Sequence, residues 1–255
     1  MKLSTRLIDY MKSKFKFEVT SFTLHILAMI FMLCDHLWGT IVPGNDWLTC
    51  IGRISFPIFA FMIVEGYFHT KSVKKYVLRL LIFALISEIP FNLMMGSGIF
   101  YPIHQNVLWS FLIAIGLICL NEKVKERRVW LRILVGALSV MLGYLLGILT
   151  MVDFYHAGVL SVLVFYFFRK RKWWCYIGQL VFLWYVNAEL LGGLIYEINL
   201  FGNTYSILRQ SFALLALIPI WLYRGKQGYY NKAIKYAFYA FYPLHMLILG
   251  IIKLF

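Results

Sequence analysis

Asp35 and His36 interrupt one long apolar run, and Arg53 interrupts the next. A histidine titrates near neutral pH and can take a proton from a hydroxyl or an amine. An arginine can hold a developing oxyanion or neutralise an acid. Asp35 and His36 are adjacent, so on a helix their side chains diverge by about 100°. They cannot orient one another as a dyad. If His36 is a general base, its orienting partner comes from another helix or from three or four positions away. Asp35 is then left to pair with Arg53.

Further polar groups fall in or at the ends of apolar runs: Glu88, Asn92, Asn106, Asp153, His156, Glu189 and Arg209, with His245 in the middle of the last run. Each is costly in hydrocarbon unless paired or wetted. Most lie near the same end of their runs, about six residues in, or ~9 Å of helix. One polar cavity opening at that end is the economical reading. The competing one is a set of structural ion pairs, Asp35 with Arg53 and Glu88 or Glu189 with Arg209. Glu65 reads as an interfacial acid beside Lys71 and Lys74. Cys34, Cys50, Cys119 and Cys175 form no CxxC pair and read as packing residues, so no metal is expected. There is no P-loop, zinc motif or nucleophile elbow.

The elements that carry these residues follow from composition. Of 255 residues, 62% are hydrophobic and 14% charged, with a mean hydropathy of +0.76. So little charge cannot cover a water-facing surface of this size. The expectation is an all-α, polytopic integral membrane helical bundle of about nine transmembrane helices. They span 21–42, 47–69, 75–94, 106–120, 130–150, 152–168, 174–194, 207–223 and 235–254. Residues 1–20 form a basic segment whose apolar spacing suits an interfacial helix. Residues 21–255 form a single transmembrane domain.

Of the 25 lysines and arginines, 22 fall in the first segment and in the regions 69–79, 121–132, 169–172 and 224–235, at every second loop and the adjoining ends of its spans. The loops at 43–46, 95–105, 151 and 195–206 hold none. Basic loops mark the cytoplasmic side, which puts the N-terminus inside. The same distribution accounts for the net charge of +14 without a nucleic-acid partner.

Several segments resemble the TraX family of membrane proteins. They are the helix ending in Asp35-His36, the run Gly52-Arg53-Ile54-Ser55-Phe56-Pro57, Glu65-Gly66-Tyr67, Ser87-Glu88-Ile89-Pro90-Phe91-Asn92, Asn106-Val107-Leu108 and Tyr242-Pro243-Leu244-His245. Family members are associated with N-terminal acetylation of conjugative pilin. The resemblance implies a transmembrane acetyltransferase that uses acetyl-CoA or another acyl-CoA as co-substrate. A more distant likeness reaches the wider superfamily of membrane acyltransferases, including enzymes that O-acetylate bacterial surface polysaccharides. Those enzymes carry a histidine late in the first core helix, which would be His36, and arginines early in the next, which would be Arg53.

The expected function is therefore acyl transfer to a hydroxyl or amine of an envelope acceptor (glycan, lipid or peptide N-terminus) at a bacterial cytoplasmic membrane. His36, Asp35 and Arg53 would be catalytic. Glu88, Asn92, Asn106, Asp153, Arg209 and His245 would bind substrate. A proton-coupled transporter or a lipid flippase would use the same polar cavity, and a non-catalytic assembly factor would tolerate its replacement.

Overall fold

A computed structural model describes residues 18–96 and 98–254. The expected interfacial helix at the N-terminus lies almost wholly outside these residues. Helix α1 (Ser21–Thr40) starts at Thr20, whose hydroxyl accepts from Thr23 N. A turn with Gly44 at φ +98° leads into α2 (Asp46–Gly52) and then α3 (Ser55–His69). The second expected span is thus broken at Arg53-Ile54. The cause is Pro57, which has no N–H for the Arg53 carbonyl and whose ring crowds it. The break sets Arg53 at a joint in the membrane segment.

Helix α4 (Val73–Gly96) runs through Pro90 without ending, and α5 (Val107–Val124) is capped by Asn106. Helices α6 (Val129–Leu149), α7 (Tyr155–Phe167) and α8 (Trp173–Trp184) follow. A π-helical turn, Tyr185–Leu191, prolongs α8 and stops at Gly192 and Gly193, both with positive φ. Strands β1 (Ile195–Leu200) and β2 (Asn203–Leu208) then pair antiparallel. A 3-10 segment (Arg209–Ala216) and short α9 (Leu217–Leu222) lead to α10 (Lys232–Lys253).

Six of the expected spans are helices long and apolar enough to cross a membrane, counting Asp46–His69 as one. The other three runs are helical but shorter. Helix α7 has 13 residues, α8 has 12 before its π turn, and the eighth run divides into the 3-10 segment and six-residue α9. Thirteen residues give ~20 Å of helix. The loop expected at 195–206 is the β-hairpin, turned by Phe201 and Gly202 at φ +51° and +79°.

The core lies where α3, α5 and α7 meet, around Ile58, Val64, Ala114, Ile118, Val162 and Phe165. Helices α6 and α8 flank it, α8 adding Leu183 to the core, and both leave apolar side chains outward, with Ile133, Leu149, Ile177 and Val181 exposed. Apolar side chains left outward on this scale face lipid. This is a multi-pass membrane protein.

The basic segments collect at one end of the bundle. There Ser21 N and Phe22 N bond the carbonyls of Lys226 and Gln227, and Arg169 Nε meets Glu65 Oε1 at 2.8 Å. The segments free of lysine collect at the other end. There Gln105 N bonds Met151 O and Arg209 N bonds Leu194 O.

Candidate functional site

At the lysine-poor end a cavity of about 400 Å³ opens between α1, α2, α4 and the 3-10 segment. Its wall includes Asp35, His36, Arg53, His104, Asp153 and Arg209. Helix α1 supplies the first two, and Arg53 comes from the break before Pro57.

Asp35 Oδ1 sits 3.2 Å from Arg53 Nη2. Thr49 Oγ1 links them: it donates to Asp35 at 2.7 Å and accepts from Arg53 Nη2 at 2.9 Å. The contact needs Gly52. A Cβ there would lie 2.4 Å from Asp35 Cβ and 2.8 Å from its Cα, so any other residue would push α1 and α2 apart.

His36 points away from Asp35, as the helical angle requires, and meets His245 of α10. His36 Nδ1 is 2.7 Å from His245 Nε2, with the rings 6° from coplanar. His245 Nδ1 is 2.7 Å from the Phe241 carbonyl. A carbonyl only accepts, so His245 Nδ1 carries the hydrogen. Neutral His245 then accepts at Nε2, and His36 Nδ1 donates to it. The basic nitrogen of His36 is therefore Nε2. It bonds no described residue, and His36 lines the cavity. The orienting partner required from another helix is His245, which is itself 6% exposed and outside the cavity wall. Its described hydrogen bond in the site is with His36.

Asp153 enters the wall from a tight turn in which Met151, Phe154 and Tyr155 have φ of +50°, +59° and +45°. Left-handed backbone in three non-glycine residues stores strain. The turn is pinned by Asp153 N donating to the Gln105 carbonyl at 2.8 Å and by Phe154 stacking on Phe56 at 4.4 Å. Asp153 Oδ1 lies 3.3 Å from His104 Nε2. His104 belongs to the loop before α5, outside the spanning segments. The hydrogen bond that His104 donates to Asp153 pushes its pKa above the ordinary histidine value, against the opposing effect of burial.

Arg209 Nη2 binds Asp46 Oδ2 at 2.6 Å, and its guanidinium lies 5.5 Å from the Trp38 ring. The expected partners Glu88 and Glu189 are not used. Glu189 is exposed, and Glu88 faces α5. Glu88 Oε1 accepts from Trp109 Nε1 at 2.6 Å, from Asn106 N at 3.2 Å and from the Asn106 amide. Asn106 Nδ2 also donates to the Ala84 carbonyl at 2.9 Å. Glu88 and Asn106 therefore lock α4 to the start of α5 behind the cavity. Asn92 Nδ2 donates to Ile99 O at 3.2 Å and is also outside the wall. At the other end, Glu65 pairs with Arg169 and not with Lys71 or Lys74.

Of the nine expected site residues, Asp35, His36, Arg53, Asp153 and Arg209 share the cavity. Glu88, Asn92, Asn106 and His245 lie behind it. Thr49, Gly52, Asp46 and His104 were not anticipated. His104 has a weak signal, a histidine two residues before a helix-capping asparagine. Among the described residues, no three of histidine, cysteine, aspartate and glutamate come close enough to hold a metal ion.

A second cavity, of about 510 Å³, opens at the basic end. The two cavities share Met32, Phe59, Val107, Phe111 and Tyr242 as wall residues, so they abut at these side chains, with Met32 one helical turn from His36 on α1.

A family model described as TraX protein matches residues 21–253. The chain is also 28% identical, over 93% of its own length and 97% of the relative's, to a protein of Dichelobacter nodosus named "Probable fimbrial assembly protein FimC, serogroup H1". No solved structure matches it. The match covers the helices that carry every residue of the cavity, and the chain belongs to the TraX family.

Proposed function

We propose that this protein is a transmembrane acyltransferase. It would move an acyl group from a cytoplasmic acyl-CoA, acetyl-CoA being the simplest donor, to an envelope acceptor in the outer cavity. The observation that carries the reading is the Phe241 carbonyl–His245–His36 chain: with both rings neutral it assigns the basic nitrogen of His36, a cavity-wall residue, to Nε2.

His36 Nε2 takes the proton of the acceptor hydroxyl or amine as its oxygen or nitrogen attacks the thioester carbonyl. His245 holds the ring and accepts from its Nδ1–H throughout. Arg53, on the same wall, stabilises the oxyanion, and Asp35 with Thr49 fixes the guanidinium. The C–S bond breaks, and the thiolate recovers the proton from His36. Asp153, His104 and Arg209 line the space for the acceptor. With the basic end in the cytoplasm of a bacterial inner membrane, the donor enters by the inner cavity and the acceptor by the outer one. Nine crossings, including the shorter helices, suit that orientation. The relative's name, a fimbrial assembly protein, favours a surface appendage or its subunit as acceptor.

Two abutting cavities also suit a transporter or a flippase. Purified protein in lipid, given radiolabelled acetyl-CoA and cell-envelope fractions, separates the two. Label on an envelope component together with free thiol supports acyl transfer. Uptake of a solute without thiol release rejects it.

A further inference from the structure

The cations that reach into the bundle are not alike. Arg53, Arg169 and Arg209 each hold a carboxylate, at 3.2, 2.8 and 2.6 Å. Arg79, on the inner part of α4, has no carboxylate partner among the described residues. Its guanidinium lies 6.0 Å from the Tyr76 ring, and its Nε is sealed from water without a hydrogen bond. Arg79 lines the inner cavity together with Lys235, which also has no acidic partner among the described residues. The acid on that wall, Glu65, is taken by Arg169. A partly desolvated cation with no counter-charge is costly, and a bound anion removes that cost.

The wall also sets the shape of the ligand. Above Arg79 and Lys235 it is aromatic, through Phe83, Phe238 and Tyr239, up to the junction at Phe59, Phe111 and Tyr242. Lys235 and His245 are ten positions apart on α10, ~15 Å along its axis. A group anchored at Lys235 reaches His36 only through a slender arm of that length. Two unpaired cations at the base ask for more negative charge than one carboxylate carries.

We propose that Arg79 and Lys235 form a phosphate seat at the base of the inner cavity, one that takes the diphosphate of an acyl-CoA and directs its thioester arm through the junction toward His36. The seat rests on the acyl-transfer reading, because that reading supplies the donor. An inner-leaflet lipid phosphate has the same chemistry without the arm.

The test is equilibrium binding to the full-length protein in neutral detergent, with coenzyme A, pantetheine, inorganic pyrophosphate and a short-chain anionic phospholipid as probes. The variants are Arg79→Gln, Arg79→Lys, Lys235→Gln and His36→Ala, each checked for the wild-type melting temperature without ligand. Coenzyme A should bind the wild type and His36→Ala alike, and pyrophosphate should displace it. Arg79→Gln should weaken it at least about tenfold, the loss expected for a charged hydrogen bond. Lys235→Gln should weaken it less, and Arg79→Lys should retain part of the affinity. Pantetheine, lacking the diphosphate, should bind wild type and Arg79→Gln equally weakly. Equal affinity of wild type, Arg79→Gln and Lys235→Gln for coenzyme A overturns the seat and leaves the acyl-transfer reading standing. Displacement by the phospholipid but not by pyrophosphate also overturns it, in favour of a lipid site. Pyrophosphate binding that depends on Arg79, with no binding of coenzyme A, keeps the anion seat and rejects the donor. If Arg79→Gln does not fold, the comparison of Arg79→Lys and Lys235→Gln with wild type decides.

Discussion

His36 Nδ1 and His245 Nε2 are 2.7 Å apart, and the Phe241 carbonyl fixes which of the two rings donates. The relationship links the first and last described helices across the bundle. On the acyl-transfer proposal it makes His245 a positioning residue for the base. His245→Phe removes the acceptor for His36 Nδ1–H and frees the ring to turn. Acyl transfer should fall, and its pH dependence should move as His36 loses its neighbour. His245→Gln, whose amide oxygen can accept the same bond, should recover part of the rate. Equal activity and an unchanged pH profile in all three proteins would show that the pair only packs helices.

Asp35 and Arg53 form a pair that is costly to break and cheaper to remove whole. Losing one partner of a fully buried pair typically costs about 3–5 kcal/mol, because the survivor stays charged and unpaired; with 23% and 21% of these side chains exposed, the cost here should fall below that range. Asp35→Ala and Arg53→Ala should each lower stability, and the double variant should lose much less than their sum. A thermal-denaturation cycle in detergent measures this. Additive losses would contradict the pairing.

Gly52 is where α1 and α2 touch. Gly52→Ala puts a methyl 2.4 Å from Asp35 Cβ and 2.8 Å from backbone. Overpacking of this kind costs about 1–3 kcal/mol. The variant should melt lower and should weaken the Asp35–Arg53 coupling in the same cycle. Wild-type stability would mean the helices have room to part.

His104 gives a pH signature outside the spanning helices. Its pKa is raised by Asp153, so protonated His104 is favoured in the folded state. A raised pKa contributes stability that is fully present below the unfolded value, about 6.5, and is lost as pH rises through the folded value. Wild type should therefore be more stable than His104→Gln at pH 5.5, and the gap should shrink by pH 8.5. Melting curves at the two pH values test this. A gap that grows with pH would reverse the assignment.

Asp35, His36 and Arg53 were legible in the sequence because charge in an apolar run is expensive and seldom without a reason. The divergence of Asp35 and His36 followed from helical angle alone, and with it the need for a partner elsewhere. That the partner is His245 depended on how α10 packs against α1, which no local pattern specifies. Glu88 and Asn106 stood out as polar, but their joint role in locking α4 to α5 depends on register between helices. Thr49, Asp46 and His104 are ordinary residues for loops and helix ends, so nothing marked them. The hairpin was legible and missed: Ile195 to Leu208 alternates around Phe201-Gly202, a turn that suits paired strands. The count of nine spans came from apolar run length, which does not distinguish a full crossing from a short helix packed within the bundle.

The charge distribution predicts that the basic end lies in the cytoplasm. Single cysteines at positions 98 and 203, in a background without the four native cysteines, should react with an impermeant thiol reagent from outside. Cysteines at 125 and 171 should react only after lysis. Labelling of position 171 in intact cells would invert the chain and the direction of transfer.

The most direct test of the acyl-transfer account is the rate of label transfer from acetyl-CoA in wild type, His36→Ala and His36→Gln, alongside their melting temperatures. A general base contributes about 10²–10⁴ in rate, so both variants should lose activity on that scale while folding and binding donor nearly as wild type does. Glutamine keeps a hydrogen bond to His245 but cannot take a proton near neutral pH, so it should be as inactive as alanine. The opposite order, with glutamine active and alanine unfolded, would make His36 a packing residue and contradict the account.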